Sequence, residues 1–432
     1  MFRRMFIALT LVVLLSLTVS AKILYVPDNY TTIQSAVNHA VSGDTIVVRD
    51  GVYDENVVIA KSNVTLESEN GSAKCTIRAR NPFKNCITIE AGGVKVVGFT
   101  ITGSSHYSAG ISVDGADLCV IEGCKIVNND YGIYIHNGSN RNDILNNTFE
   151  DNWRTVLVRD SSYNKIINNK ICIKFSYQTF DSNVSSTSLN AFPVLLPLFQ
   201  GIILSNADRT IVMGNLINAY GNASGIHVSH SDECVISNNT VKNGRFGIVV
   251  VQGDEDRVVS NSLIGNRYGV YLYLSENDTI YGNVVESNYY YGIYLQESDY
   301  NRVRSNTITG TVWNALGLWG SKGNIVKSNI VHDNDNNGIY LFLSSNNTIS
   351  NNTCYANGWG GIYLWYSTMN KIFSNVMKDN GFSGLALWSS NGNVVVGNVM
   401  TENAVGLYIY DSDREILKNN TITNNTINVI RK

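Results

Sequence analysis

Proline is nearly missing from this chain. Four occur in 432 residues, at Pro27, Pro82, Pro193 and Pro197, and none follows. Proline cannot donate to a strand ladder, so its scarcity leaves over half of the chain free to run as uninterrupted β-structure. Charge is sparse too: 16% of residues are charged and the net charge is −3, which removes the electrostatic case for a nucleic-acid partner. The seven cysteines, at 75, 86, 119, 124, 172, 234 and 354, form no C-x-x-C pair and no metal-ligand spacing. No metal or other cofactor is expected. An odd count leaves at least one thiol unpaired within the chain; Cys75–Cys86 and Cys119–Cys124 are the pairs closest in sequence. Beyond the N-terminal leader, no apolar run is long enough to span a bilayer.

What the chain has in plenty is Gly and Asn, and they recur. A kernel of Gly, apolar, any, apolar starts at Gly201, Gly225, Gly247, Gly269, Gly292, Gly338, Gly361, Gly384 and Gly406, at steps of 22 to 24 and one double step of 46 where Ala315 replaces glycine. Upstream, Gly110, Gly132 and Thr155 keep the same beat. A period this short means a stacked solenoid, because one copy cannot bury its apolar face alone. Segments such as GIYLFL (338–343) and GVYLYL (269–274) alternate with the period of a strand, and Asn and Gly mark the turns. Leucine-rich repeats share the length but need a Leu scaffold and a helical side, and neither is present. The expected fold is all-β: one parallel β-helix of 14 or 15 coils, about 70 Å long.

Residues 1–21 read as an export signal: Arg3 and Arg4, an apolar stretch from Met5 to Val19, and small residues ending at Ala21. The protein is therefore expected to be secreted or on the cell surface, or in a periplasm-like space, with an uncleaved anchor as the alternative. Residues 22–60 break the pattern. Apolar Ile33, Ala36, Val37, Ala40 and Val41 fall at helical spacing and predict a short amphipathic helix over 31–41 that caps the open end of the solenoid. Residues 61–432 form the β-helix. Within it, 172–200 is an irregular insertion with two prolines and no Asn turn or Gly kernel, which reads as a loop rather than a degenerate coil.

The stretch YVPDNYTTIQSAVNHAVSGDTIVVRDGVYDENVVI, followed by N-x-[ST]-I and GIYL copies, resembles the NosD-like, CASH-type right-handed β-helices of the pectin-lyase-like class. The resemblance covers nearly the whole chain after the leader and implies a right-handed coil. It also implies, as one alternative, an accessory role in maturing a copper enzyme. Copper would need clustered His, Met or Cys; the six His and six Met are scattered, and Met377 and Met400 fall on inward positions.

In Gly338–Leu343 the alternation points Ile339, Leu341 and Leu343 inward and Tyr340 and Phe342 outward. Stacking turns such positions into vertical columns. Asn147, Asn169, Asn215, Asn239 and their successors to Asn420 form one amide column that holds the fold and does no chemistry. The first outward column contains Tyr271, Tyr294, Tyr340, Tyr363 and Tyr408; the second contains Tyr273, Trp319, Phe342, Trp365, Trp388 and Tyr410. Aromatics this dense on an outer face fit three readings: a platform for a polysaccharide, a docking strip for another protein or a second copy, or ring contacts that steady the sheet. Earlier on the same face, Asp114, His136 and Arg159 take outward positions beside Ser112 and Tyr134. A carboxylate, Tyr, His and Arg are what a polysaccharide lyase or C5-epimerase needs to neutralise a uronate, take its C5 proton and protonate the leaving oxygen. The run Tyr131–His136 resembles the YG-x-D-P-H motif of alginate epimerases, with Tyr134 where that motif has Asp and Ile135 where it has Pro. The competing reading is a patch of ordinary surface residues. Asp254-Glu255-Asp256 reads as a solvated acidic corner or weak cation site, and His227 and His230 as surface.

Overall fold

The computed structural model of the protein describes residues 20–173 and 200–432. The leader expected over 1–21 lies almost wholly outside these residues. So does the insertion; its ends at 172, 173 and 200 belong to strands Lys170–Ile173 and Gln200–Ser205.

Three parallel sheets run the length of the molecule. Sheet A holds 17 strands, from Ile23–Val26 to Ile416–Lys418. Sheet B holds 16, from Gly51–Asp54 to Thr421–Thr423, and sheet C holds 16, from Val57–Ile59 to Ile427–Arg431. Each turn thus contributes three strands, and the count exceeds the expected 14 or 15 coils. Three sheet C rungs carry no glycine kernel: Val57–Ile59 and Ile87–Ile89 before Gly110, and Ile427–Arg431 after Gly406. Sixteen rungs at the strand spacing reach about 77 Å. Connections between parallel strands are right-handed for the usual reason of strand twist.

The core is a single column of Ile, Val and Leu inside the three sheets, including the expected Ile339, Leu341, Met377 and Met400. Leu343 departs from expectation. It is 54% exposed with φ of 49°, because the strand ends at Phe342 and the chain turns there. The helix spans Ile33–His39. The Thr32 side chain accepts from the Ser35 amide, and Glu55 accepts from the amides of Ile33 and Gln34, so its first turn has partners. Ile33, Ala36 and Val37 are buried over the first coil, whereas Val41 lies past the helix end and is exposed.

Asparagine ladders stitch the corners. In the foreseen column, Asn352 donates its side-chain amide to the Val326 carbonyl (3.0 Å) and to Asn375 Oδ1 (3.0 Å), and the same pattern repeats from rung to rung. Two more ladders stand at the other corners, one through Asn334, Asn357, Asn380 and Asn403, another through Asn301, Asn324, Asn347 and Asn370. A serine ladder through Ser298, Ser321, Ser344 and Ser367 accompanies the third. These side chains satisfy backbone groups that the turns would otherwise leave buried and unpaired.

All seven thiols are free, so neither sequence-near cysteine pair is a disulfide. The acidic corner is only partly solvated: Asp254 and Glu255 are exposed, but Asp256 has no exposed surface. His227 is 3% exposed and not a surface residue. It occupies the outward column of sheet C between Ile203 and Val249, and burial pushes its pKa down to about 4.

Candidate functional site

Sheet C carries both clusters of candidate residues. Most of its strands are six residues long where those of A and B are mostly three, because the kernel alternation lasts longest there. Tyr271, Tyr294, Gly317, Tyr340, Tyr363, Ala386 and Tyr408 stand in unbroken register. So do Tyr273, Gln296, Trp319, Phe342, Trp365, Trp388 and Tyr410. Both columns face away from the main core.

They are not equally open. Tyr271 and Tyr294 are buried, at 1% and 7% exposure, in an outer apolar cluster with Phe246 and Val249. The cover is a third column that the sequence reading missed: Phe246, Tyr268 and Tyr291, each just before a kernel glycine. Tyr291 stacks on Tyr294 at 4.3 Å, and Tyr268 stands 5.5 Å from Tyr271. Tyr271 also spends its hydroxyl on Gln296 Oε1 (2.8 Å). These two tyrosines therefore brace the sheet and are closed to a ligand. The dipeptides Phe246-Gly247, Tyr268-Gly269 and Tyr291-Gly292 were the available signal.

Further along, the cover ends. Asn314, Asn337, Gly360 and Ser383 take the third-column positions, and the strip opens. Trp319, Trp365 and Tyr410 are each more than a third exposed; Tyr340, Phe342, Tyr363, Trp388 and Tyr408 are half-buried. Rings here meet at mixed angles. Trp319 and Phe342 are 4.8 Å apart and edge-on, Tyr340 and Tyr363 stacked at 5.9 Å, and Trp388 and Tyr410 tilted at 4.5 Å. Such a surface presents both faces and edges of aromatic rings.

The second cluster lies nearer the N-terminal end. Register pairs Ser112 with Tyr134 and Asp114 with His136. His136 Nε2 shares a 3.0 Å hydrogen bond with Ser112 Oγ, and its Nδ1 lies 3.7 Å from Asp114 Oδ1. Tyr134 stacks on the imidazole at 4.1 Å. The connectivity is that of a nucleophile, base and orienting carboxylate. Yet Ser112 is only 1% exposed, which keeps its oxygen from attacking a polymer. The ring must turn before either nitrogen faces a substrate. Arg159, next after the Val158 that pairs with Ile135, continues the Asp114–His136 column, is exposed, and makes no hydrogen bond or ion pair with the other three among the described residues. Arg154 was missed. Its guanidinium lies 4.7 Å from the Trp153 ring and 5.6 Å from that of Tyr131, donates to the Tyr131 hydroxyl (3.3 Å), and leaves Nε buried without a partner. Among the described residues no three His, Cys, Asp or Glu gather into a metal-ligand set, and no helix is long and apolar enough to cross a membrane.

The family model described as right handed beta helix region matches residues 85–264, 246–400 and 362–431. A cell surface glycoprotein of Methanothermus fervidus is 38% identical over 102 residues, which is 23% of this chain and 15% of that protein. Among solved structures, the Dettilon tailspike protein aligns with a TM-score of 0.56 at 18% identity, over 74% of this chain and 68% of its own. The periplasmic alginate epimerase AlgG aligns with a TM-score of 0.47 at 16% identity, over 86% of this chain and 78% of its own. The likeness to the tailspike bears on the fold alone.

Proposed function

The chain belongs to the right-handed β-helix family, and we propose that it is an exported or cell-surface member that binds a polysaccharide along the open part of sheet C. One observation carries this reading. Trp319, Phe342, Trp365, Trp388 and Tyr410 keep strict register over five rungs, yet remain on the surface. A ring-stabilised sheet would close over its aromatics, as it does at Tyr271 and Tyr294. A column of rings at the rung spacing of about 4.8 Å instead offers successive stacking faces to a repeating, extended ligand. The short match to a cell surface glycoprotein supports the location. A panel of immobilised polysaccharides tests it. The protein should be retained by at least one polymer, and Trp365→Ala with Trp388→Ala should reduce retention while leaving the circular dichroism spectrum unchanged. Unchanged retention would refute the strip as the binding surface.

A second reading gives the Asp114, Tyr134, His136 and Arg159 region lyase or C5-epimerase chemistry. It is favoured by the coupling of His136 to both Asp114 and Ser112, and by the half-satisfied Arg154 close by. In it, Arg154 or Arg159 neutralises the uronate carboxylate, while His136 or Tyr134 exchanges protons at C5 and the leaving oxygen. Uronate polymers should then yield unsaturated products absorbing in the ultraviolet, or epimerised residues by NMR, and His136→Ala should abolish both. Absence of product by either readout discards it.

A further inference from the structure

The aromatic strip is free of charge over a long stretch. No Asp, Glu, Lys, Arg or His occurs in 313–320, 336–343, 359–366, 382–389 or 404–410, the five successive sheet C passages that form its open part. The same sheet nearer the N terminus carries Asp114, His136, Arg154 and Arg159. One continuous face therefore changes chemistry along its length.

We infer that the open part of the strip takes an uncharged polysaccharide, and discriminates against polymers of uronic or sulfated sugars. The inference rests on the glycan reading above and narrows it. An anionic polymer laid along these rungs would bring a carboxylate or sulfate to most of its sugars. The five passages hold no cation to pair with them, the next in the same column being Lys432 one rung beyond Tyr410, and burying an unpaired charge against aromatic rings is costly. A neutral sugar asks only for ring faces and hydrogen bonds, and both are present. Trp359 and Phe382, stacked 4.8 Å apart, stand at the start of their passages, while Trp365 and Trp388 stand at the end. Between them lie the small residues Gly360, Ser383 and Ala386. Tyr340 and Tyr363 are half-buried residues whose hydroxyls have no hydrogen-bond partner among the described residues. Five rungs span about 19 Å, the reach of an oligosaccharide rather than of a single sugar.

The test compares binding to neutral polymers (a β-glucan, a mannan and an N-acetylglucosamine polymer) with binding to alginate and polygalacturonate, by affinity electrophoresis from 50 to 500 mM salt. At least one neutral polymer should be retained. That retention should be insensitive to salt, since no ion pair is screened, and weaken about tenfold in the Trp365→Ala, Trp388→Ala double variant. Trp319→Ala, at a more isolated exposed ring, provides a second variant should the double one unfold. Retention of only the anionic polymers, with loss at high salt, would overturn this inference and leave the glycan reading standing. Retention by no polymer would overturn both. Neutral binding that survives both sets of variants would place the ligand elsewhere and overturn this assignment.

Discussion

The third asparagine ladder contains two carboxyls where amides are expected, and this predicts a pH-dependent weakness in the wall. Asp256 Oδ1 accepts from the Cys234 amide (2.7 Å) and Asp278 Oδ1 accepts from the Asp256 amide (2.8 Å), as asparagines do at Asn301 and Asn324. At those rungs the other side-chain atom is an NH2 that donates to a backbone carbonyl. In both aspartates it is an oxygen, Oδ2, buried and unpartnered. A carboxylic acid can supply the missing proton; a carboxylate cannot. Burial, reinforced by the charges of Asp232 and Asp254, pushes the Asp256 carboxyl up to about 8, and burial raises Asp278 in the same direction. The two titrate as a pair. An acid whose folded pKa lies above its unfolded value binds more protons in the folded state. Stability is therefore fully present below about pH 4 and is lost as pH rises toward 8, at about 1.4 kcal/mol per unit for each such group. For Asp256 alone the loss at pH 7 is about 4 kcal/mol, a ceiling because a carboxylate can draw water into the wall. Asp256→Asn, alone and with Asp278→Asn, restores the ladder chemistry. Urea unfolding from pH 4.5 to 9 should show the native protein weakening as pH rises toward 8, with flatter curves for the variants. Exchange at the amides of Cys234 and Asp256 gives a local readout, needed because solenoids lose cooperativity along their length. Parallel curves for native and variant proteins would refute the reasoning.

Other expectations follow from single contacts. Asn352→Ala orphans the Val326 carbonyl and the Asn329 amide, which donates to Asn352 Oδ1 at 2.9 Å, and should cost about 3 kcal/mol in denaturant unfolding. A loss below 0.5 kcal/mol would show that the ladders are dispensable. Gly269→Val places a Cβ against the Gly292 carbonyl oxygen and the Val285 side chain, so it should lower stability by about 3 kcal/mol or prevent folding; normal unfolding would contradict the close-approach argument. Native thiol labelling at pH 8 should reach Cys172 alone. The other six thiols are buried, and Cys86 and Cys124 are held up at about 12 and 11 by desolvation; rapid labelling of a second site would disprove the packing.

The repeat made the wall legible. Period 22 to 24 identifies stacked coils, strand alternation points Ile339 and Leu341 inward, and the Asn147–Asn420 column is legible from spacing alone. What remained hidden was whatever depends on neighbours across columns. Tyr271 and Tyr340 hold the same kernel position, yet one is sealed and the other open, because Tyr268 and Tyr291 lean over the first while Asn337 and Gly360 stand beside the second. His227 and Asp256 were misjudged for the same reason: an outward or corner position says nothing of what covers it. The first two rungs and the last escaped counting because no glycine kernel marks them. In the charged cluster, the sequence proposed Asp114, Tyr134, His136 and Arg159, and the structure sets Asp114 and Tyr134 against His136. Arg154 was passed over because it sits at the strand start, where the kernel alternation gives no cue.

The division of labour between the inner and outer faces explains why such a fold can be read so readily while its ligand cannot. Inward positions and ladders are constrained rung by rung: each Cβ, amide and carbonyl has to match the copies above and below. Outward positions of sheet C carry no such demand, and there the repeat drifts from Ser112 and His136 through Ile203 and Val249 to Tyr340 and Trp365. That drift is a change in surface chemistry at constant geometry. A ligand aligned with the helix axis passes from a charged segment, across a sealed aromatic brace, to an open uncharged strip. Binding at the two ends should therefore be separable: changes at His136 or Arg154 should leave retention of a neutral polymer intact, and changes at Trp365 or Trp388 should leave any uronate chemistry intact. Loss of both functions from one such change would mean that the segments act as a single site.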